Sequence, residues 1–539
     1  MVSVTCYGGA NEIGGNQILV EDKDVKFFFD FGTPFARWNR YFEEFLRPRA
    51  GAGLLDPLIM GLLPAIRGIY REDLEYPQDI WDQLKSRYEV KDLTGANIAG
   101  ILLSHAHLDH CGYISFLKED IPIYSSAATA FIAKVIQDTA GGSEFEKEVC
   151  YFNPRQLSQG YLASSKGNRC QRKFQIVDID NLPEKAQSFW NSRCVSRGGI
   201  CQWETMEQLQ LVRFRPKSIG GLPLSSFPVD HSIPGALAYA VETSAGWIVY
   251  TGDIRKHGLE SEKTKQFIEN VKKLKVKLLI CEGTRVNDIK NISEEEVHSN
   301  CLRAVKNAKG KLVIADFGPR NIERIRIFLE IAKVTDRKLV ILAKDAYLLR
   351  WLSYVSPEVS LSDWIRHMVL YQERKDPNNL KAWERDIRNW LSPDKSVNPS
   401  DINRYPANFI LCFSFWDIKH LIDINITDGL YIYSASEVHS EDQAIDIRRL
   451  HNWLDAFNFQ RIGLPAEVQK GKWEVPEDQL GFHASGHASG NDILDMIREI
   501  GPKVLIPVHT ENPQFFAEKL KGTGIEVRIP KQGQPEIIT

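Results

Sequence analysis

The sequence lacks several features that would fix its class at once. None of its nine cysteines stands in a Cys-x-x-Cys pair, and the count is odd, so no disulfide framework and no common zinc-ribbon pattern is predicted. The longest apolar run, residues 54–66, is too short to span a bilayer and contains Asp56 and two prolines. The N-terminus shows no basic and apolar leader. We therefore expect a cytoplasmic protein with free thiols and no membrane partner.

The chain also lacks a strong excess of charge. Its formal net charge is -3 over 539 residues, so a nucleic-acid ligand would need a local basic channel rather than the field of the whole molecule. Apolar residues make up 43%, which is enough for a folded core, and the length exceeds that of one ordinary domain. These values favour a globular protein of two or three lobes.

One run of polar residues carries most of the chemical information. Residues 104–110 read Ser-His-Ala-His-Leu-Asp-His and follow an apolar stretch, residues 98–103, which predicts a buried strand. On an extended chain His105 and His107 point the same way, whereas Asp109 and His110 lie beyond a turn and face a second point. Imidazole and carboxylate ligands at this density suit zinc first among divalent ions. The run therefore predicts water activated by one or two metal ions.

Three later residues also follow apolar strands. His231, Asp253 and His509 come directly after the predicted strands 222–229, 247–250 and 504–508. Each alone is explained equally well as a turn-capping residue. Together with the first run they supply seven groups for a dinuclear site at one rim of a sheet.

With these motifs in order, the chain resembles the metallo-β-lactamase superfamily, and within it the β-CASP branch that contains ribonuclease J and the RNA cleavage and polyadenylation endonucleases. The resemblance covers most of the chain apart from residues 33–97 and about 140–210. The motifs that carry it are the glycine-rich segment 8–14 with Asp30, the run His105 to His110, His231, Asp253, Glu282 in Cys-Glu-Gly-Thr-Arg, His487 in His-Ala-Ser-Gly-His, and His509 in Pro-Val-His-Thr-Glu.

The resemblance implies an α/β architecture, a metallo-β-lactamase αββα sandwich with an inserted β-CASP α/β domain. Residues 1–287 would form the N-terminal part of the sandwich, with insertions near 33–97 and 140–210. Residues 288–478 would form the β-CASP domain, and residues 479–539 would complete the sandwich. We also expect residues 111–117 to be helical, residues 294–308 to be helical, and residues 140–210 to be largely irregular.

The resemblance also implies a ligand set. His105, His107 and His231 would hold one Zn²⁺, and Asp109, His110 and His509 a second, with Asp253 bridging them. Mn²⁺ or Mg²⁺ in part of the set is the alternative metal content. Asp30 would orient a ligand histidine from outside the set.

The implied reaction is hydrolysis of an RNA phosphodiester to a 5′-phosphate and a 3′-hydroxyl by a hydroxide activated by two metal ions. Asp109 would orient the nucleophile, His487 would protonate the leaving oxygen, and Glu282 would orient His487. An adjacent phosphate would bind to residues from two loops: His483, Ser485, Gly486, Ser434 and Ser436.

Three other functions stay open at this point. They are a DNA nuclease of the same branch, a small-molecule metallo-hydrolase such as a lactamase or thioesterase, and a non-catalytic RNA-binding subunit. In this branch, enzymes that act on RNA tend to carry histidine at the position of His509, which favours single-stranded RNA. The two insertions suggest a protein partner. The segment after His509 is shorter than in typical relatives, so a homo-oligomer is an alternative rather than an expectation.

Overall fold

The computed structural model of the protein describes the chain except residues 44, 141–144, 166–168, 198–199, 207–210, 289–290 and 435–440. Two large mixed sheets face each other, and helices cover their outer faces. A third sheet, parallel throughout, is inserted in the chain between two neighbouring strands of the second sheet. This is the predicted α/β class, an αββα sandwich with an inserted α/β lobe.

The first sheet has eight strands. Its N-terminal part is an antiparallel meander of three largely buried strands, and parallel strands extend it on one side. In spatial order the strands are Leu211–Phe214, Phe174–Ile176, Ile123–Ser125, Ile98–Leu102, Val25–Phe31, Gln17–Asp22, Val2–Gly8 and Pro535–Ile538.

The second sheet has seven strands, antiparallel at one side and parallel at the other. In spatial order they are Ser218–Ile219, Leu222–Pro228, Leu237–Thr243, Gly246–Tyr250, Leu278–Glu282, Val504–Val508 and Glu526–Val527. The strand Leu278–Glu282 and its neighbour Val504–Val508 are apolar and fully buried up to the last position, as expected for central parallel strands.

The core of the sandwich lies between the two sheets, where inward side chains from both faces meet. The rings of Phe29 and Tyr250, one from each sheet, lie 4.9 Å apart. On the outer faces, helix Ala127–Thr139 covers the first sheet, and helices Ser261–Val271 and Gly490–Ile500 cover the second. Burial of these apolar stripes is the main source of stability of such layers.

The inserted lobe is built on seven parallel strands, in spatial order Ser396–Val397, Met368–Tyr371, Lys338–Ile341, Phe409–Cys412, Leu312–Asp316, Gly429–Tyr433 and Phe459–Ile462. Its helices are Glu294–Asn307, Ile322–Val334, Ala343–Leu352, Leu361–Trp364, Ala382–Trp390, Pro399–Arg404, His420–Ile424 and Glu441–Ala456. The first of these starts at a serine cap, since the Ser293 side chain accepts a hydrogen bond from the backbone of Glu296.

The expectation that residues 140–210 are largely irregular is wrong. They form short strands and the helix Glu184–Trp190, and Phe174–Ile176 joins the first sheet. The ring of Phe189 stacks on Trp351 of the inserted lobe with centroids 4.1 Å apart. The insertion therefore braces the two lobes. Its remaining strands are the ribbons Tyr151–Phe152 with Cys170–Gln171, Arg155–Ser158 with Tyr161–Ser164, and Ser192–Arg197 with Ile200–Thr205.

The first insertion, residues 33–97, is more compact than its polar sequence suggests. It carries the short helices Phe35–Trp38, Leu55–Ile59 and Ile80–Lys85 and the strand pair Ile66–Arg67 with Lys91–Asp92.

Other short elements outside the two insertions are the helices Leu108–Cys111 and Gln514–Lys519 and the ribbon Ala466–Gln469 with Lys472–Glu474.

Two further expectations concern the thiols and the membrane. The cysteines whose side chains are described are free thiols: Cys6, Cys111, Cys150, Cys170, Cys281, Cys301 and Cys412. Across the described ranges, no helix is both long enough and apolar enough to cross a bilayer.

Candidate metal centre

The polar residues singled out in the sequence meet at one edge of the sandwich. The strands Ile98–Leu102, Gly246–Tyr250 and Val504–Val508 end there, and the chain turns just after each of them. Because carboxyl ends of neighbouring parallel strands lie side by side, residues far apart in the chain come together at this edge. All seven predicted ligands lie in this cluster.

The first group is three imidazoles around one point. His107 Nδ1 lies 3.0 Å from His105 Nε2 and 3.2 Å from His231 Nε2. Asp253 Oδ2 closes the group at 3.6 Å from His105 Nε2 and 3.8 Å from His231 Nε2. Four ligand atoms therefore face one another within 4.8 Å.

The second group lies on the other side of Asp253. Asp109 Oδ2 is 3.3 Å from His509 Nε2 and 3.7 Å from His110 Nε2. Asp253 contributes here as well, with Oδ2 at 3.1 Å from His110 Nε2 and Oδ1 at 3.8 Å from His509 Nε2. Asp253 thus lies between the two groups, as its predicted bridging role requires.

The donor set fits divalent metal ions. Ligands of a tetrahedral zinc lie about 2.0–2.3 Å from the ion, which places ligand atoms roughly 3.3 Å apart, close to the observed separations. His110 Nε2 and Asp253 Oδ1 are buried and have no hydrogen-bond partner among the described residues, although both face the cluster. Buried polar atoms without partners are costly unless a ligand satisfies them.

Three of the ligand rings have a hydrogen-bond acceptor on their far side, which selects the tautomer. His110 Nδ1 lies 2.7 Å from Asp30 Oδ2, and His231 Nδ1 lies 2.6 Å from the carbonyl oxygen of Gly486. His509 Nδ1 lies 2.8 Å from Thr284 Oγ1. In each ring the other nitrogen, Nε2, therefore keeps its lone pair toward the cluster.

Asp30 is the centre of the network behind the ligands. It is fully buried and also accepts hydrogen bonds from the Ser104 amide at 2.7 Å, the Ser104 hydroxyl at 2.8 Å and the Tyr250 hydroxyl at 2.7 Å. The Ser104 hydroxyl lies 3.0 Å from His105 Nδ1, so one carboxylate orients two ligand rings. That Asp30 orients these rings for metal binding stays a prediction.

The glycine-rich segment packs directly against Asp109. A Cβ at Gly14 would lie 2.8 Å from Asp109 Oδ2, and one at Gly32 would lie 1.7 Å from the Asp109 carbonyl oxygen. Only glycine allows the backbone this close an approach. The segment is tied to the last ligand as well, because the His509 amide donates to the Gly9 carbonyl at 2.7 Å.

Electrostatics differ between the two ligand groups. Burial lowers the pKa of His231 to about 4 and the pKa of His105 well below its usual range, so these rings are neutral. Burial opposes a charge on His110, but Asp253 and Asp109 outweigh it and raise the pKa of His110 well above its usual range. Burial also opposes ionisation of Asp253, but the protonated His110 outweighs it and lowers the pKa of Asp253. A metal ion at the second group would displace the His110 proton, because imidazole binds metal in its neutral form.

His487 lies beside the ligands and is paired with an acid. Its Nδ1 is 2.9 Å from Glu282 Oε2, and its ring centroid is 5.3 Å from that of His231. Burial lowers the pKa of His487, but Glu282 and Asp253 outweigh it and raise that pKa to about 9. Glu282 is itself held at 2.7 Å by the Ile254 amide and at 2.7 Å by the Thr284 hydroxyl.

The predicted phosphate-binding residues occupy different environments. The Ser485 hydroxyl accepts a hydrogen bond from the His487 amide at 3.2 Å, close to the cluster. His483 Nε2 lies 2.7 Å from the carbonyl oxygen of Gly463. Ser434 is buried. Its hydroxyl donates to the Phe482 carbonyl oxygen at 2.6 Å and accepts a hydrogen bond from Arg324, so it holds neighbouring loops together. Ser436 lies outside the described residues.

Sequence reasoning assigned no role to Thr284, Ser104 or Tyr250. The hydroxyl of Thr284 joins Glu282 to His509, and the other two hold Asp30. One local signal was present for Thr284, because it follows Glu282 by two positions at a strand end. The partners of Tyr250 are more than two hundred positions away, at Asn16 and Asp30.

Comparisons with known proteins agree with this site. Residues 481–530 match a family model described as "Zn-dependent metallo-hydrolase RNA specificity domain". Ribonuclease J of Mycolicibacterium smegmatis is 22% identical over 515 residues, covering 94% of this chain and 68% of that protein. Ribonuclease J of Helicobacter pylori J99 is 22% identical over 540 residues, covering 98% of this chain and 58% of that protein.

A solved structure has the same fold over almost the whole chain. It is the crystal structure of a protein of unknown function from Enterococcus faecalis V583, with a TM-score of 0.63, 21% identity and 99% coverage of both chains. The ligand cluster and these matches indicate a metal-dependent hydrolase, whose fold is similar to that of the metallo-β-lactamase superfamily, β-CASP branch. Over most of its length the chain is similar to the ribonuclease J proteins of that branch.

Proposed function

We propose that the chain hydrolyses phosphodiester bonds of single-stranded RNA and leaves a 5′-phosphate and a 3′-hydroxyl. The observation that carries the proposal is the position of the RNA-specificity match. Residues 481–530 include both His487 and the ligand His509, so the matched segment contributes side chains to the metal centre itself. The ribonuclease J relatives support the same substrate class.

Two divalent cations, zinc first, fit the two ligand groups and would supply a water nucleophile at neutral pH and neutralise the phosphoryl oxygens. His105, His107 and His231 would hold one cation, and Asp109, His110 and His509 the other, with Asp253 shared. The side chains that the ions do not use then carry the proton transfers.

Asp109 is placed to handle the nucleophile. It is more open to solvent than the other acidic ligand, with 24% of its side chain exposed against 2% for Asp253. Burial opposes its ionisation, but His110 and His509 lower its pKa, so it is a carboxylate at neutral pH. A carboxylate at the open side can orient an attacking water by accepting its hydrogen bond.

His487 is placed to handle the leaving group. Its Nδ1 is occupied by Glu282, which leaves Nε2 for the substrate, and 21% of the side chain is exposed. As the water oxygen bonds to phosphorus, the bond from phosphorus to the 3′ oxygen breaks, and the proton on Nε2 passes to that oxygen. A raised pKa keeps the ring protonated for this step at neutral pH.

The phosphate next to the cleaved one can bind to the loop that contains Ser485 and Gly486. Ser485 Oγ accepts a hydrogen bond from the His487 amide and can donate its own hydrogen to a phosphate oxygen. The amide of Gly486 follows in the same loop. A side chain at this position would conflict with Ser232, because a Cβ would lie 2.7 Å from Ser232 Oγ. We include Ser485 and Gly486 in the proposed phosphate contact.

The proposal is tested with four substrates and one variant. Purified protein is incubated with 5′-labelled single-stranded RNA, a matched DNA strand, nitrocefin and an acyl thioester, each beside the Asp109→Ala variant. We expect cleavage of RNA into shorter 5′-labelled products that end in a 3′-hydroxyl, with a 5′-phosphate on the downstream fragments, and loss of that cleavage in the variant. Turnover of only the thioester or nitrocefin, or faster cleavage of DNA, would contradict the proposal.

A further inference from the structure

A buried arginine connects two of the ligand strands. Arg255 follows the ligand Asp253 by two positions, and its Nε donates to Asp230 Oδ1 at 3.0 Å, directly before the ligand His231. One terminal nitrogen donates to the carbonyl oxygen of Ser485 at 3.3 Å. Arg255 therefore touches the loop that carries His487 and the segment that carries His231.

The other face of Arg255 reaches the inserted lobe. It donates to Glu294 Oε1 at 3.1 Å and also to Glu323. Glu294 lies in the first turn of helix Glu294–Asn307, and Glu323 in the first turn of helix Ile322–Val334. One guanidinium thus links these two helices to the loops of the metal centre.

A second arginine completes the unit. Arg324 lies 3.1 Å from Glu294 Oε1 and 3.2 Å from Glu294 Oε2, and donates to the carbonyl oxygen of Ser434 at 2.7 Å. It also reaches the carbonyl oxygen of Phe482 at 3.5 Å, at the start of the loop that contains His487. The carboxylate of Glu294 therefore lies between two guanidinium groups, and each of them touches a carbonyl of the 482–487 segment.

The charges in this group are buried, so each of them needs its partners. The side chains of Arg255, Arg324, Glu294 and Asp230 are all 0% exposed. When one member of a buried charge group is removed, the others are left without compensation, so the segment they hold is expected to move or to take up water. The contacts of the metal-centre loops with the inserted lobe then depend on the whole group.

We propose that Arg255, Glu294 and Arg324 are positioning residues that fix residues 482–487, and with them His487, only while the inserted lobe is docked on the sandwich. The inference rests on the proposed function, because it assigns His487 the proton donation to the leaving group. The inserted lobe would then hold the proton donor, His487, in its working position.

The test uses Glu294→Gln, which keeps the side-chain shape and removes the charge. Two substrates separate positioning from general damage: single-stranded RNA, whose leaving oxygen needs a proton, and bis(4-nitrophenyl) phosphate, whose 4-nitrophenolate leaves without one. We expect kcat on RNA to fall about 10-fold to 100-fold, with KM nearly unchanged, and hydrolysis of the nitrophenyl ester to stay within about 3-fold.

Two further variants keep the inference falsifiable. Glu358→Gln removes one of two acidic partners of Lys263 and breaks an ion pair that also joins the lobes but does not involve residues 482–487. It should leave both activities within about 3-fold. Arg255→Lys keeps the charge but loses the fork that reaches Glu294 and Ser485 together, so it should also lose RNA cleavage selectively. If Glu294→Gln has a lowered unfolding temperature, Arg255→Lys replaces it as the test variant.

The outcomes are distinct. RNA cleavage by the wild-type chain together with equal losses on both substrates in Glu294→Gln and Arg255→Lys would overturn the positioning role, as would no loss at all. An equal selective loss in Glu358→Gln would overturn it too. Wild-type protein that hydrolyses the nitrophenyl ester but not RNA would overturn the proposed function instead.

Discussion

His487 Nδ1 lies 2.9 Å from Glu282 Oε2, although 205 positions separate the two residues in the chain. The inserted lobe lies between them in sequence, and the parallel pairing of Leu278–Glu282 with Val504–Val508 brings the ends of the sandwich segments back together. His487 belongs to none of the candidate ligand groups among the described residues, whereas Glu282 also lies within 4.8 Å of ligand atoms of Asp253 and His509. We therefore expect the pair to act on a proton beside the metal ions.

The Glu282→Gln variant should change the pH dependence of RNA cleavage. A proton donor works while it is protonated, so activity is present below the pKa of His487, about 9, and is lost as the pH rises through it. Without the carboxylate that pKa falls, so the alkaline limb of the pH–kcat/KM profile should move to lower pH, with a loss of about 10-fold to 100-fold in kcat. An unchanged alkaline limb would contradict the role of Glu282.

Replacement of Thr284 should weaken metal binding. Its hydroxyl lies 2.8 Å from His509 Nδ1 and 2.7 Å from Glu282 Oε2, so Thr284→Val leaves the ring N–H of His509 without its acceptor. We expect zinc affinity, measured by competition with a chromogenic chelator, to fall about 10-fold to 100-fold. Thr284→Ser keeps the hydroxyl and should bind zinc nearly as the wild type does. Equal affinities in the two variants would exclude this role.

The Asp30→Asn substitution should cost stability as well as metal. The carboxylate accepts from the Ser104 amide, the Ser104 hydroxyl and Tyr250 and lies 2.7 Å from His110 Nδ1, and an amide would place a donor against these donors. We expect the free energy of unfolding of the metal-free protein to fall by about 2–4 kcal/mol in denaturant titrations. Asp24→Asn, on an exposed turn, is the matched control and should be neutral. A neutral Asp30→Asn would show that the network is not needed for folding.

Much of the site was predictable because its residues stand where strands end. The apolar run before His105 forms the strand Ile98–Leu102, and the predicted helix at 294–308 is observed as Glu294–Asn307. Both segments have a local pattern, an apolar block followed by ligands in one case and a capped amphipathic helix in the other. Local patterns of this kind are what a single sequence records best.

Other parts had no local signal. The predicted helix at 111–117 is helical but not one α-helix: it is the last residue of α-helix Leu108–Cys111 followed by the tighter 3-10 helix Gly112–Phe116, in which every residue is buried and no amphipathic period exists. Strand Phe174–Ile176 has only three residues, too few for a periodicity. The positioning contacts of Arg255 join segments up to 230 positions apart, which only the folded chain brings together.

A buried acid in the inserted lobe should make stability depend on pH. Burial raises the pKa of Asp316 from its ordinary 3.8 to about 7, so the folded chain keeps a proton that the unfolded chain releases. Its contribution to stability is therefore present at low pH and is lost as the pH rises from about 4 to about 7. Asp316→Asn cannot ionise, so its unfolding temperature relative to wild type should rise between about pH 5 and about pH 8.

The control for this experiment is Asp478→Asn, at an exposed position, whose difference from wild type should not vary with pH. A difference between Asp316→Asn and wild type that stays constant over the same range would mean that Asp316 is ionised in the folded protein at all these pH values.

The measurement that tests the central claim most directly is RNA cleavage as a function of bound zinc. Chelator-stripped protein is titrated with zinc, bound metal is counted by mass spectrometry, and the cleavage rate of labelled single-stranded RNA is recorded at each step. We predict no cleavage without metal and full recovery at about two zinc ions per chain, with the Asp253→Ala variant failing to recover. Undiminished cleavage by the stripped protein, or by Asp253→Ala, would contradict the account.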